Sequence, residues 1–430
     1  MADLENALLV GVNLNHDESF ERSMKELGAL AEACNMQVAG SVCQSMDSVN
    51  KAYYIGPGKV EEVASAIEML HVDIVIFDNS LSPSQLRNLQ DALHIAVMDR
   101  SALILEIFAS RARTREARLQ VEVARLQYML PRLVGLHEAL SRQGGGSGSM
   151  SNKGAGEKKL ELDRRRLEKR LGELRKELEQ VIEERKTQRK RRAKSGIPRV
   201  ALVGYTNAGK STLMNALLEA YAPEDADLDE KRVMEKDMLF ATLDTTVRKI
   251  MPENHHPMLL SDTVGFIDKL PHNLVEAFQS TLEEAKEADV LLQVVDCSDP
   301  NFPDQIQVTG ETLKQLGAEK IPMILVYNKA DLCWEENLLP RIQEPADGEY
   351  RIYLSAKKGI GLEELLGLIE KKLAGGYVDM ELMIPYTDGR ALAYLNEHSV
   401  IKKQSYEPEG TYLKVQCKKQ DAAFYTKYAL

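Results

Sequence analysis

Nine consecutive residues have the types and spacing to do chemistry: Gly204-Tyr205-Thr206-Asn207-Ala208-Gly209-Lys210-Ser211-Thr212. They read G-x-x-x-x-G-K-S, the pattern with which a backbone loop grips the phosphates of a nucleotide. Gly204 and Gly209 let the chain curl so that successive N–H groups point inward at phosphate oxygens. The Lys210 stem reaches the β- and γ-phosphates, and the Ser211 hydroxyl suits Mg²⁺. Such a loop needs a buried strand before it and a helix behind it, whose positive dipole end also faces the phosphates. The apolar run Val200–Val203 and the helically spaced apolar residues of Thr212–Leu218 supply both. A chance glycine-rich turn has no reason to carry those flanks.

A triphosphatase must also complete a magnesium shell and sense the γ-phosphate. Asp262-Thr263-Val264-Gly265 ends an apolar stretch and matches D-x-x-G, with Asp262 expected near the metal and the Gly265 N–H at the γ-phosphate. Upstream, Phe240-Ala241-Thr242-Leu243-Asp244-Thr245-Thr246 offers hydroxyls for a first switch. Thr242 is the expected second magnesium hydroxyl, with Thr245 and Thr246 as rivals. Ser211, Thr242 and Asp262 are thus the expected metal set, and Lys210, Thr242 and Gly265 the expected catalytic set. Phe266 stands where many such enzymes carry a water-orienting glutamine, and its ring forms no hydrogen bond to water. It reads either as an apolar switch residue or as the mark of a slow intrinsic reaction that a partner completes.

Base choice is read from Asn328-Lys329-Ala330-Asp331 and Ser355-Ala356-Lys357, each directly after a strand-like run. A carboxylate at 331 accepts from guanine N1–H and the 2-amino group. Adenine has an acceptor at N1 and no 2-amino group, so the same carboxylate rejects it. Asn328 is placed to tie the base loop to the phosphate loop, the Lys329 stem to cover the base, and the Ala356 N–H to meet guanine O6. In this order, on successive strand ends, the motifs predict GTP and GDP as ligands.

The elements that must hold these residues follow from the pattern of the rest. The chain has 430 residues and a formal net charge of −11. Its five cysteines show no C-x-x-C and no metal spacing, which predicts reduced thiols in a cytoplasmic protein. No signal peptide or membrane span is legible. The predicted fold class is α/β and multidomain. Residues 1–110 read as an N-terminal α/β domain, with strands at Ala7–Val12, Val72–Phe77 and Ile95–Met98 and a helix capped by Ser82 and Pro83. Its Gly56-Pro57-Gly58-Lys59 reads as a tight turn into a helix, with a phosphate or RNA cradle as the alternative. Residues 111–195 read as an antiparallel helical hairpin with a glycine-rich loop at 141–157, and Pro131 is expected to bend or end its first helix. Leu119, Val123, Leu126 and Leu130 face Leu167, Leu171, Leu174, Leu178 and Val181 as ordinary core. Residues 196–375 read as the nucleotide domain with a mostly parallel sheet, and 376–430 as a small α+β domain.

Charge separates the hairpin from its surroundings. Between Arg111 and Lys194 there are 24 Lys and Arg against 12 Asp and Glu, inside an acidic chain. A mixed-charge helix usually means only a solvated face. A one-sided excess confined to one element reads as a footprint for a polyanion. The candidate RNA contacts are Arg142, Lys153, Lys158, Lys159, Arg164, Arg165, Arg189, Lys190, Arg191 and Arg192. No aromatic platform accompanies them, which favours backbone and shape recognition of structured RNA.

Taken together these motifs resemble the HflX family within the TRAFAC-class, translation-factor-related GTPases. The resemblance covers nearly the whole chain. It includes Tyr54-Ile55-Gly56-Pro57-Gly58-Lys59, Leu81-Ser82-Pro83-Ser84-Gln85, Asp99-Arg100-Ser101, the run Ile107 to Glu116, Leu119-Gln120-Val121-Glu122 and Leu130-Pro131-Arg132-Leu133. The resemblance implies ribosome binding, chiefly to the large subunit and its RNA, and a role in splitting or rescuing stalled ribosomes. It also implies Asn207 as a K⁺ ligand. A monomer that is cytoplasmic and partly ribosome-associated is expected. Two departures stand out. The hairpin tip, usually close to G-T-R-G-P-G-E, is Ser151-Asn152-Lys153-Gly154-Ala155-Gly156-Glu157, and the first switch has Asp244-Thr245-Thr246 in place of D-P-T. The alternatives are a GTPase of tRNA modification or ribosome assembly, and a nucleotide-regulated RNA-remodelling protein using the Gly56–Lys59 loop.

Overall fold

The computed structural model describes residues 4–142, 150–194, 196–221, 238–241, 243–253, 255–269, 279–333, 350–373 and 377–430. The chain divides into two compact units. The first comprises Met1–Val181 with the short segments Met238–Phe240 and Leu270–Phe278, and the second comprises the remainder.

The first unit is built on a four-stranded parallel sheet in the order β2-β1-β3-β4. Its strands are β1 (Glu5–Leu14), β2 (Met36–Met46), β3 (Ile74–Phe77) and β4 (Ala96–Asp99), with helix α1 (Phe20–Ala33) after β1, α2 (Pro57–Leu70) after β2 and α4 (Arg100–Arg111) after β4. Helices on both faces bury β1 and β3, so these read as continuous apolar runs. The sequence pattern did not announce β2. It sits at the sheet edge, only Met36 and Val42 of its residues are buried, and its Gln, Ser and Gly residues break the apolar alternation. Ser82 does cap its helix, α3 (Pro83–Leu93), in a complete capping box with Gln85. Gly56 stands at the N-cap of the helix Pro57–Leu70. Its N–H donates to Gln44 Oε1 at 2.9 Å, and Lys59 pairs with Glu62 at 2.7 Å, as in a tight helix entry.

The hairpin helices are α5 (Arg115–Arg142) and α6 (Met150–Lys194). Leu119, Val123, Leu126, Leu171 and Leu174 form their buried seam, with Leu130, Leu167, Leu178 and Val181 packed against it. Two expectations change. Helix α5 reaches Arg142 and helix α6 already includes Met150–Glu157, so ten of the seventeen residues expected as a loop at 141–157 are helical; the other seven, 143–149, lie outside the described residues. Gly154 and Gly156 are thus accommodated in a helix of 45 residues, where their cost is about 1 kcal/mol each. Pro131 does not end α5, which runs eleven residues beyond it. The next residue explains part of this. Arg132 donates to the Tyr128 carbonyl at 2.9 Å and lies over the Tyr128 ring at 3.3 Å, bracing the turn that the proline weakens.

That arginine belongs to a hub around Asp99, which is fully buried. Asp99 Oδ1 accepts from Ala102 N at 2.9 Å and Tyr128 Oη at 2.8 Å, and Oδ2 accepts from Leu81 N at 3.1 Å and Arg132 Nη2 at 2.9 Å. Next to it, Arg100 donates to Asp78 at 2.9 Å and pairs with Glu26. The Asp99-Arg100-Ser101 and Leu130-Pro131-Arg132-Leu133 motifs therefore meet in space, fastening α5 to the end of β4.

The second unit holds a six-stranded sheet in the order β10-β9-β8-β5-β7-β6. Its strands are β5 (Arg199–Gly204), β6 (Thr246–Ile250), β7 (Met258–Asp262), β8 (Val290–Asp296), β9 (Met323–Asn328) and β10 (Tyr350–Tyr353). All pairs are parallel except β6 with β7. The carboxyl ends of β5, β7, β9 and β10 are where the motifs of the sequence stand, as open α/β sheets require. A separate antiparallel sheet, β11-β13-β12, comprises β11 (Tyr377–Ile384), β12 (Val400–Glu407) and β13 (Gly410–Lys418).

The β6–β7 connection is clamped to the helix Leu362–Leu373 by two histidine–carboxylate pairs. His255 Nε2 lies 2.9 Å from Glu363, and buried His256 Nδ1 lies 2.7 Å from Glu370. Burial pushes the Glu370 carboxyl up, but the His256 hydrogen bonds and charge outweigh it and hold it below its ordinary value. A carboxyl depressed on folding stabilises above its unfolded pKa of about 4.3, and that stabilisation disappears as pH falls through the lower folded value. Glu370→Gln should therefore lower stability at pH 7 by roughly 1–2 kcal/mol, with the gap from the parent closing below about pH 4. Urea midpoints measured across pH check this. A gap that stays constant down to pH 3 would contradict the pairing.

Candidate active site

The phosphate loop leaves β5 and enters α7 (Lys210–Tyr221), as the sequence predicts. Lys210 is 6% exposed, and its Nζ donates to the Gly204 carbonyl at 3.1 Å and the Tyr205 carbonyl at 2.7 Å. Burial lowers its pKa to about 8, against the opposing pull of Asp262. Phosphate oxygens at the loop would raise it again and keep the ammonium charged. Ser211 Oγ donates to Asp262 Oδ2 at 2.6 Å, so the two expected magnesium oxygens are adjacent. Both are hard oxygen donors of the kind Mg²⁺ takes, and they fit it. Thr206 is buried, Asn207 is exposed in the left-handed conformation that asparagine tolerates, and Ser211 and Thr212 are half-buried.

Two glycines are required by close approach. A Cβ on Gly209, at φ +91°, would lie 2.2 Å from Asn328 Nδ2. A Cβ on Gly265 would lie 2.6 Å from Thr206 Cα and 3.0 Å from Lys210 Nζ. The D-x-x-G backbone therefore lies directly against the phosphate loop. Hydrogen bonds hold it there: Thr206 N to Phe266 O at 2.7 Å, Phe266 N to Gly204 O at 3.1 Å, and Asp268 N to Tyr205 Oη at 2.8 Å. The Phe266 side chain, 2% exposed, joins the core with Ala201, Val203 and Leu291. Its apolar character is thus explained by packing.

The switch threonines separate. Thr242 lies outside the described residues. Thr246 opens β6 opposite Asp262, with its hydroxyl 4.0 Å from Met214 Sδ. Thr245 Oγ1 accepts from Arg185 Nη1 at 3.3 Å. Just before them, Phe240 is buried edge-on to Phe108 with ring centroids 4.7 Å apart.

The base loops converge on Asn328, which is buried. Its Nδ2 donates to the Ala208 carbonyl at 3.0 Å, and its Oδ1 accepts from Ala356 N at 3.0 Å. One side chain therefore ties together the phosphate loop, the Asn328–Asp331 loop and the Ser355–Lys357 loop. The Ala356 amide assigned to guanine O6 donates to Asn328 here. Asp331 Oδ1 accepts from Ser355 Oγ at 2.7 Å, with Lys358 Nζ 3.9 Å from Oδ2. Lys357 is exposed. Lys329 Nζ is anchored on Asp296 at 2.7 Å, which fixes the direction of its stem. Sequence reading missed Asp296, although a carboxylate ending the apolar run Val290–Val295 was a usable signal.

The basic hairpin positions Arg142, Lys153, Lys158, Lys159 and Arg189–Arg192 all lie on α5 or α6. Arg164 and Arg165 pair with Glu168 at 2.8 Å and Glu161 at 2.9 Å on their own helix, which reduces their claim as RNA contacts. Among the described residues, no helix is long and apolar enough to cross a membrane, and no cluster of three His, Cys, Asp or Glu side chains could hold a metal.

A parallel sheet with a phosphate loop on its central strand, an adjoining D-x-x-G and a tied pair of guanine-reading loops defines a P-loop GTPase. Three family descriptions match the chain: "GTP-binding GTPase N-terminal" over residues 21–109, "GTP-binding GTPase Middle Region" over 111–192, and "50S ribosome-binding GTPase" over 199–329. The GTPase HflX of Caldanaerobacter subterraneus subsp. tengcongensis is 44% identical over 96% of this chain and 91% of its own length. That of Escherichia coli K12 is 38% identical over 95% of this chain and 92% of its own. A crystal structure of a GTP-binding protein from Sulfolobus solfataricus in complex with GDP is 25% identical, with TM-score 0.46, covering 86% of this chain and 99% of that one. The chain belongs to the HflX family of GTPases. It binds guanine nucleotide and hydrolyses GTP.

Proposed function

We propose that this GTPase is a cytoplasmic, monomeric ribosome-binding factor whose nucleotide state controls engagement of its basic hairpin with RNA of the large subunit, where it splits or rescues stalled ribosomes. The observation that carries the reading is the excess of 24 basic over 12 acidic residues in Arg111–Lys194 of an otherwise acidic chain. Such an excess supplies sequence-independent affinity for phosphate backbone, steeply reduced by salt. The family description of residues 199–329 as a 50S ribosome-binding GTPase supports it.

In this reading the loop amides and Lys210 bind the phosphates, and Asp331 selects guanine. Ser211, Asp262 and Thr242 would hold Mg²⁺, which neutralises charge on the β- and γ-oxygens. Gly265 N–H senses the γ-phosphate. Because the Phe266 side chain is core, the group that orients the attacking water comes from elsewhere, which makes the intrinsic rate slow and the ribosome its stimulator. GTP hydrolysis with and without purified large subunits tests this directly, together with sedimentation of the protein with subunits in GTP and GDP. Stimulation of at least tenfold and tighter binding in GTP are expected, the scale of one lost transition-state contact. Equal binding in both nucleotides would overturn the switch, and binding only to tRNA or precursor particles would favour a modification or assembly role.

Asn207 is the proposed K⁺ ligand. Hydrolysis in K⁺ is expected to exceed that in Na⁺ at equal ionic strength by about 10²-fold, the lower end of what one group stabilising transition-state charge contributes. Equal rates would remove the ion from the mechanism.

A further inference from the structure

Two thiols meet beside the guanine-reading loop. Cys297 follows β8, and Cys333 ends the short helix Ala330–Cys333, whose second residue is Asp331. Their Sγ atoms lie 3.7 Å apart, and both residues are free and partly exposed. Cys297 also supports the loop directly. Its backbone N–H and its thiol both donate to the Asn328 carbonyl, at 3.1 and 3.0 Å.

We propose that Cys297 and Cys333 form a reversible disulfide under peroxide and that this bond weakens guanine nucleotide binding. The bond requires the sulfurs to approach by roughly 1.7 Å from their present separation. The two ends do not yield equally. Strand β8 lies between β5 and β9 inside the six-stranded sheet, whereas Cys333 ends a single helical turn. The displacement therefore falls on the turn that carries Asp331. The bond also removes the Cys297 thiol proton that Asn328 O accepts, at the residue tying the three loops together.

The chemistry balances with hydrogen peroxide as oxidant. The Cys333 thiolate attacks one peroxide oxygen, the O–O bond breaks, and a sulfenic acid and one water result. The Cys297 sulfur then attacks the Cys333 sulfur, the S–O bond breaks, and the Cys297 proton leaves with the hydroxide as a second water. Two thiols and one peroxide become one disulfide and two waters. Burial, then the hydrogen bond and charge of Cys333, push the Cys297 thiol up to about 12, which assigns it the second step.

The test uses the full-length protein, reduced or treated with hydrogen peroxide, and a fluorescent GDP analogue as the binding probe. Peptide mapping should find a Cys297–Cys333 cross-link with loss of two hydrogens. Affinity should fall about tenfold, the loss expected from disturbing a buried hydrogen bond, and dithiothreitol should restore it. Cys333→Ser should bind the probe like the reduced parent and be insensitive to peroxide. Absence of the cross-link at peroxide excess, a cross-link with unchanged affinity, or an affinity loss that persists in Cys333→Ser would each overturn the proposal.

Discussion

Replacing Asp331 by Asn is expected to weaken binding of GTP and GDP by about 10²–10³-fold, because two buried guanine donors lose their acceptors at about 1–3 kcal/mol each. The carboxylate is an acceptor only, and Ser355 Oγ already orients it by donating to Oδ1 at 2.7 Å. An amide in its place can keep the Ser355 bond through its oxygen. Its NH₂ group then faces the guanine 2-amino group, donor against donor. Xanthine carries an oxygen at that carbon, so the same NH₂ finds an acceptor, and xanthine nucleotides should gain affinity as guanine nucleotides lose it. The loops themselves should persist, since the Asn328 bonds to Ala208 and Ala356 do not involve residue 331. Competition binding with GDP, XDP and ADP measures the exchange. Retained GDP affinity within about threefold, without gain for XDP, would remove Asp331 from base selection.

The second large effect lies in the first unit, far in sequence from the nucleotide motifs. Asp99→Ala should destabilise the protein by about 3–5 kcal/mol, the usual consequence of removing one partner from a buried ion pair. The carboxylate satisfies two backbone N–H groups, the Tyr128 hydroxyl and the Arg132 guanidinium; the substitution removes the acceptor of the first three and leaves the Arg132 charge with only the Tyr128 and Leu81 carbonyls. Burial and then the neighbouring Asp99 charge hold the Tyr128 hydroxyl well above its ordinary pKa, so it stays a neutral donor at any working pH. The denaturant midpoint followed by circular dichroism should fall sharply, while GDP affinity of the folded protein stays unchanged. A shift below about 1 kcal/mol would mean that water or a rearranged side chain replaces the carboxylate at little cost.

The nucleotide site was the more legible part of this chain because its motifs are local. Each is a few residues at a strand end, and backbone geometry alone puts Gly204–Thr212 and Asp262–Gly265 at the same edge of a parallel sheet. Parts of the fold that depend on neighbours were harder to read. Edge strand β2 has no strong apolar alternation, since only part of it is covered. Pro131 was expected to bend or end its helix; it does not end it, and Arg132, held by Asp99 and the Leu81 carbonyl, braces the helix through it. The glycines near 154 suggested a loop, yet the helix starts at Met150. Helix propensity is a weak prior that surrounding structure overrides.

Residue types and spacing by themselves determined the ligand class, the reaction and the α/β, multidomain fold class. These depend on hydrogen-bond complementarity and apolar period, both properties of short segments. Tertiary structure alone decided that Phe266 is core, that Asn328 joins three loops, that Asp99 receives four donors, and that Cys297 and Cys333 touch. Each of these brings together residues distant in the chain, and such meetings are set by how buried polar and apolar groups are jointly satisfied in three dimensions.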